Sequence, residues 1–126
     1  MSKRNKIIYW TATIWLSLGM LSTAIVQLLR TDEEVNMMIR LGYPIYLLTI
    51  IGIWKILGVV AVLIPQHPVL KEWAYAGFFI TMSGAIISHV IVGDEIKDSF
   101  GPALLLILTV VSWYFRPADR KLIFLN

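Results

Sequence analysis

The chain has 126 residues, a formal net charge of +3, no cysteine and 58% hydrophobic residues. That hydrophobic content exceeds the usual range of soluble domains, and the length corresponds to a single domain, 1–126. The lack of cysteine excludes dithiol redox chemistry, thiolate nucleophiles and thiolate metal sites in this chain. The basic residues lie beside the ends of apolar segments, which favours orientation in a membrane over nucleic-acid binding.

Four apolar segments predict four membrane-spanning helices, at about 7–29, 44–64, 70–92 and 100–115. A spanning helix needs about 20 residues, so the first three segments are long enough. The fourth has about 16 residues and must lie untilted or extend at its ends. The predicted fold is therefore all-α, an antiparallel bundle of four transmembrane helices.

The first segment follows the basic residues Lys3, Arg4 and Lys6, as a secretory signal peptide would. Its apolar run of about 23 residues is longer than the roughly 7–15 of a signal sequence, so we predict a retained span. Polar and small residues share one of its faces, which is typical of helix packing, with Gln27 as an alternative ligand contact. The face comprises Thr13, Ser17, Met20, Ala24 and Gln27.

Residues 30–43 predict a short amphipathic helix on the outer surface of the membrane, with an ordinary linker as the alternative. Thr31 and Glu34 have the spacing of a capping box, and the acidic first turn complements the helix dipole. Gly42 is expected to end this helix.

The second segment is predicted to start at Pro44, a favourable first-turn residue. It contains Lys55, a charge where hydrocarbon is expected, flanked by Gly52 and Gly58, which allow another backbone to approach. Trp54 provides either a cation–π face or simple packing.

The third segment begins after Pro68, has Trp73 and Tyr75 near its inner end, and closes at Gly93–Asp94. Small residues at helical spacing predict a seam for close helix packing: Ala74, Gly77, Thr81, Gly84 and Ser88. A fourth helix follows from Gly101, and the tail ends in an apolar tetrapeptide, 122–125, that is expected to touch the membrane.

Both termini are predicted to be cytoplasmic, because basic residues are enriched on the cytoplasmic side of membrane proteins. This orientation places seven basic residues inside, namely Lys3, Arg4, Lys6, Lys71, Arg116, Arg120 and Lys121. It places three outside, Arg30, Arg40 and Lys97.

A rise of about 1.5 Å per residue puts Lys55 near the membrane midplane, at the level of three hydroxyls. These hydroxyls belong to Ser17, Thr81 and Thr109 and are predicted to accept hydrogen bonds from the ammonium group. Alternatively, the extended Lys55 side chain snorkels towards the inner surface and pairs with Glu72. Three roles for Lys55 stay open: structure or assembly, contact with a ligand such as quinone, and proton or substrate translocation.

His89 and Asp94 are five residues apart and form at most a weak metal signal; a hydrogen-bonded histidine near a ligand entrance is the alternative we favour. No metal site is therefore predicted. The sequence contains no phosphate-loop motif, no pair of haem ligands and no nucleophile–base–acid set, so autonomous catalysis is not expected.

The stretches LGYPIYLLTIIGIWKILG (41–58), Pro65, KEWAYAGF (71–78) and GAIISHVIVGD (84–94) resemble the DoxX-like family of small four-helix membrane proteins. The resemblance implies a four-helix bundle in the inner (plasma) membrane. The wider family includes a subunit of an archaeal thiosulfate–quinone oxidoreductase, and distant eukaryotic relatives are assembly chaperones. Residues at the motif positions are Lys55, Gly58, Pro65, Glu72, Trp73, Ala74, Tyr75, Gly77, Ser88, His89, Gly93 and Asp94.

The predicted function is an accessory subunit, or a binder of a small lipophilic ligand such as quinone, associated with membrane redox processes. The alternatives are a small proton-coupled transporter and a membrane-protein assembly factor. The expected partners are the lipid bilayer, a second copy of the chain or a membrane redox protein. The candidate site residues are Lys55, Trp54, Glu72, Trp73, Tyr75, Thr81, Ser88, His89, Asp94, Ser17 and Gln27.

Overall fold

The computed structural model describes residues 2–121, and the apolar tetrapeptide 122–125 lies outside this range. Within it the chain forms α-helices and short 3-10 helices and no strand, which confirms the all-α prediction. The α-helices are α1 (Lys3–Leu28), α2 (Asp32–Leu41), α3 (Leu47–Leu63), α4 (Pro68–Val92) and α5 (Phe100–Tyr114). The 3-10 helices span Ile96–Ser99 and Ala118–Arg120.

Three helical segments of the described chain are long and apolar enough to cross a membrane: Lys3–Leu28, Pro68–Val92 and Ile96–Tyr114. The last combines a 3-10 turn with α5, so the fourth segment does extend at its beginning. α3 is strongly apolar but has only 17 residues. It starts later than predicted because Pro44 accepts a hydrogen bond from the amide of Leu47, three residues on, which closes a turn before the helix.

The helix predicted after the first span is α2, and its charged first turn and apolar face agree with the sequence pattern. Gly42 ends it in the left-handed conformation, at φ 84°, which glycine adopts without a steric cost. The predicted capping box is wrong, because the Thr31 side chain makes no hydrogen bond to the helix start. Glu34 instead lines a cavity inside the molecule.

The four long helices pack in a ring, in which α1 and α4 each contact both α3 and α5. α2 lies across one end of this ring and packs against α4. We refer to that end as the α2 end, and to the other, where α3 finishes and α4 begins, as the opposite end. The apolar core consists of Leu16, Met20, Val59, Val62, Tyr75, Phe78, Met82 and Leu105.

The glycines of α3 and α4 pack differently. A Cβ at Gly52 would lie 3.2 Å from the carbonyl oxygen of Ala24 on α1, so this glycine does allow close backbone approach. Gly58 receives the ring of Phe78 instead of a backbone. The predicted seam on α4 is wrong at Gly77 and Gly84, because a Cβ at either position would meet nothing within 4 Å. These two glycines border open space where close packing was predicted, whereas Ala74 of the same predicted seam does pack against the core.

At the opposite end, two buried cations complete the hydrogen bonding of α3. A helix leaves its last carbonyls unpaired, and Lys71 Nζ donates to the carbonyl of Ala61, 2.8 Å away, and to that of Ile64. Arg120 Nη1 donates to the carbonyl of Val62 at 2.9 Å, and its guanidinium stacks 5.0 Å from the ring of Trp10. The end of α3 is thereby capped by side chains from α4 and from the segment after α5.

Candidate functional site

A cavity of about 430 Å³ occupies the α2 end, between the four long helices and under α2. Its wall is mostly apolar, with methionine and leucine side chains from α2, α3 and α5. Polar side chains project into it from α1, α2, α3 and α4. They are Thr23, Gln27, Glu34, Lys55, Thr81, Ser88 and His89.

Lys55 lies at the deep side of this cavity and is only 5% exposed. Its ammonium nitrogen donates to Thr23 Oγ1 at 3.0 Å, a contact that joins α3 to α1. The predicted set of hydroxyl partners is wrong, because Lys55 makes no hydrogen bond to Ser17, Thr81 or Thr109. Thr81 lines the cavity, whereas Thr109 donates to the carbonyl of Leu105 in its own helix. The partner that sequence reasoning missed is Thr23. Its place one turn before Gln27, on the polar side of α1, was the available signal.

The acidic residue that faces Lys55 is Glu34 of α2. Burial raises the pKa of the Glu34 carboxyl, and the positive charge of Lys55 opposes that rise. The predicted approach of Lys55 to Glu72 is wrong, since Glu72 pairs with Arg116 at 2.8 Å and accepts from the Trp113 indole at 3.0 Å at the opposite end. Glu34 was missed because its helix folds back over the bundle, which the local sequence pattern does not reveal.

Gln27 and Glu34 both carry a buried oxygen without a partner. Gln27 is 8% exposed, and its Oε1 atom accepts no hydrogen bond from the described residues. The same holds for Glu34 Oε2. Buried polar atoms are nearly always hydrogen-bonded, so two free acceptors beside one cavity are unusual.

Contacts between the end of α4 and the α2 region hold one wall of the cavity in place. His89 Nδ1 lies 2.6 Å from Asp94 Oδ2, and Arg40 Nη2 reaches the same oxygen at 3.0 Å. The hydrogen bond to His89 and then that to Arg40, helped by the charge of Arg40, hold the pKa of Asp94 below its ordinary value. Tyr43 and Ser88 add a hydroxyl contact of 2.6 Å. His89 is therefore a buried, hydrogen-bonded side chain at the cavity wall.

The residues that the structure describes contain no group of three or more His, Asp or Glu side chains that could hold a metal ion. His89 and Asp94 contact each other directly. Their geometry orients the imidazole at the cavity wall and ties the end of α4 to α2 through Arg40.

A surface groove of about 360 Å³ runs between α3 and α4. Trp54 and Trp73 flank it and are 69% and 71% exposed. The groove and the cavity share three lining residues, Ile51, Lys55 and Thr81. Lys55 therefore lies where the cavity meets the groove between α3 and α4.

Two candidate residues lie away from this cavity, as Glu72 does. Tyr75 donates to or accepts from Ser112 at 2.7 Å, and Ser112 also contacts Thr13 at 2.6 Å, in a buried cluster at the opposite end. Ser17 is buried on the same side of α1 as Thr13. Among the candidates, the structure brings together Gln27, Lys55, Thr81, Ser88 and His89, with Asp94 directly behind His89.

Comparison with known proteins identifies one family. The sequence model of the DoxX-like family matches residues 11–112, a range that contains the whole lining of the cavity and the groove. No curated protein and no solved structure matches the chain.

Proposed function

Because the chain belongs to the DoxX-like family, we propose that it is an integral membrane protein that binds a small lipophilic molecule in the α2-end cavity. In this proposal it serves membrane redox processes as an accessory subunit beside a partner protein and performs no catalysis of its own. Quinone is one candidate ligand, since its carbonyl oxygens would accept hydrogen bonds from Lys55.

We propose that α1, α3, α4 and α5 all cross the inner membrane. At about 1.5 Å per residue, α3 is somewhat shorter than the hydrocarbon core, and carbonyls that end inside lipid need internal partners. Lys71 and Arg120 supply donors to those carbonyls. This supports the proposal that α3 spans the membrane although its last turn lies within the hydrocarbon core and not at the membrane surface.

The distribution of basic residues between the two ends of the bundle supports cytoplasmic termini. Lys71, Arg116 and Arg120 gather at the opposite end, as do the basic residues near the start of α1. The α2 end, with Arg30, Arg40 and Lys97, would then face outward. This distribution follows the positive-inside rule.

The observation that carries the ligand proposal is the position of Lys55 between cavity and groove. A charged side chain in a spanning helix is costly and normally marks a functional site or has a dedicated partner. Lys55 has one hydroxyl partner and borders about 430 Å³ of space, which is within the size range of small-molecule sites. The groove would admit a ligand directly from the bilayer.

The test is native mass spectrometry of the protein purified from membranes in mild detergent, together with Lys55→Met and Lys97→Met. Lys97 is an exposed lysine at the same end and serves as the matched control. We expect a lipophilic molecule on the wild type and on Lys97→Met, and its loss from a folded Lys55→Met. An empty wild-type protein, or equal retention by all three, would refute the ligand proposal.

A further inference from the structure

The unpartnered acceptors of the cavity indicate what its ligand must supply. Gln27 Oε1 and Glu34 Oε2 are buried, line the same space and accept no hydrogen bond from the described residues. An acceptor that is buried without a donor loses its hydrogen bonds to water and gains nothing in return. An occupant that brings a donor would remove that cost.

A hydrogen-bond donor of the protein lies close to these acceptors. The Lys55 ammonium has three N–H groups, and Thr23 takes one of them. Thr23 and Gln27 are four residues apart on α1, so their side chains are neighbours about 5–6 Å apart. Glu34 approaches from α2 and is close enough for the charge of Lys55 to act on its carboxyl. Lys55 and both acceptors line the same cavity, so a polar group of a ligand placed there would have the ammonium and the two free oxygens on its walls.

We infer that this site selects lipophilic molecules whose polar end is a hydroxyl group, an inference that rests on the proposed function. The hydroxyl hydrogen is donated to Gln27 or Glu34, and the hydroxyl oxygen accepts from Lys55. The apolar part of the ligand lies against the leucine and methionine side chains of the cavity and extends towards the groove. Phenols and hydroquinones with alkyl tails have this chemistry, whereas their ethers lack the donor. For the quinone named above, the inference means that the site prefers its reduced hydroquinone form, because the oxidised form only accepts hydrogen bonds.

The experiment compares two probes of nearly equal size, 4-octylphenol and its methyl ether 4-octylanisole. Their affinities for the full-length protein in lipid nanodiscs are measured by calorimetric titration, with empty nanodiscs subtracted. We expect the phenol to bind about tenfold more tightly than the ether, the usual effect of leaving a buried polar group unpaired.

Gln27→Met removes one acceptor at similar volume and is expected to reduce the preference for the phenol, with the affinity for the ether unchanged. Gln66→Met is the matched control, because Gln66 is exposed in the turn between α3 and α4, at the opposite end. It should keep the wild-type preference. Glu34→Leu tests the second acceptor and keeps the comparison possible if Gln27→Met does not fold.

Equal affinity of the wild type for the two probes would overturn the hydroxyl inference and leave the lipophile site standing. A preference that persists in the double variant Gln27→Met/Glu34→Leu, which lacks both free acceptors, would also overturn it. Failure of both probes to bind, together with an empty protein in native mass spectrometry, would refute the proposed function as well.

Discussion

At the opposite end of the bundle, Lys71 and Arg120 donate to the last carbonyls of α3, and Glu72 pairs with Arg116. At the α2 end, Lys55 has one hydroxyl partner, and both Gln27 and Glu34 keep a buried oxygen unpaired. Both ends bury charged and polar groups among apolar helices. Buried atoms without a hydrogen-bond partner occur at both ends, among them Arg116 Nε at the opposite end. The ends differ in their buried lysines, because Lys71 donates to two carbonyls, whereas Lys55 has one hydroxyl partner and borders a cavity.

The comparison explains how a small helical protein can use similar residues for structure and for binding. A buried charge is tolerated when hydrogen-bond partners surround it, and it then holds helices together. Where a buried charged group has few hydrogen-bond partners in the protein and borders a cavity, it can contact a ligand instead. Four substitutions test whether the two ends differ in this way.

The largest effect is expected from Lys71→Met at the opposite end. It leaves the carbonyls of Ala61 and Ile64 without their charged donor, and such hydrogen bonds contribute about 2–3 kcal/mol. We expect the free energy of unfolding to fall by about that amount in a denaturing-detergent titration. Lys121→Met, an exposed lysine near the same end, is the control and should stay close to the wild type. A loss as small as that of the control would mean that α3 is not capped by Lys71.

The next change addresses the groove beside Lys55. A Cβ at Gly77 would meet no atom within 4 Å, and Gly77 lines the groove, so we expect Gly77→Leu to fold and its side chain to occupy the groove. We expect the uptake of a lipophilic probe from the bilayer to slow several-fold, measured by stopped-flow quenching of tryptophan fluorescence. Ala76→Leu fills a different groove, between α4 and α5, and should leave the uptake rate unchanged. Equal rates in both variants would show that the ligand does not pass between α3 and α4.

A smaller change in stability is expected from Lys55→Met. The substitution gives up one hydrogen bond to Thr23 and removes a buried charge, two effects that oppose each other. We expect the free energy of unfolding to change by less than about 1 kcal/mol in the same titration that is used for Lys71→Met. If Lys55→Met were as destabilised as Lys71→Met, the two ends would not differ in the way described above, and Lys55 would be structural.

The smallest effect concerns the contact of α2 with α4 through Asp94. His89 and Arg40 hold the pKa of Asp94 below its ordinary value of 3.8, so the ionised form stabilises the fold at neutral pH. That contribution persists above pH 4 and is lost as the pH falls through the lower native pKa. We expect the melting temperature of Asp94→Asn to be lower than that of the wild type at pH 6. The difference between the two melting temperatures should disappear as the pH is lowered below about 4.

Asp32→Asn is the control, because Asp32 is an exposed carboxylate of α2 outside the contact with α4, and the melting temperature of this variant at pH 6 should stay close to that of the wild type. If the difference in melting temperature between the wild type and Asp94→Asn stays constant down to pH 3, the stabilising role of ionised Asp94 is contradicted.

The local sequence determined most of the helices. Apolar runs of sufficient length predicted α1, α4 and α5, and the acidic first turn with Gly42 predicted α2 and its end. Lys55, Gln27 and His89 were recognisable as candidates because polar side chains are exceptional in such segments. These features depend on composition and spacing within about one helix, which can be read along the chain.

Tertiary structure decided which polar groups meet. Thr23 and Glu34 reach the space beside Lys55 only because α1 packs on α3 and α2 lies across the end of the bundle. The spacing of Gly77 and Gly84 resembles a packing seam, yet open space lies beside them because helix separation depends on the side chains of every neighbour. Contacts between helices depend on how several segments pack at once, whereas helix formation depends mainly on each segment by itself.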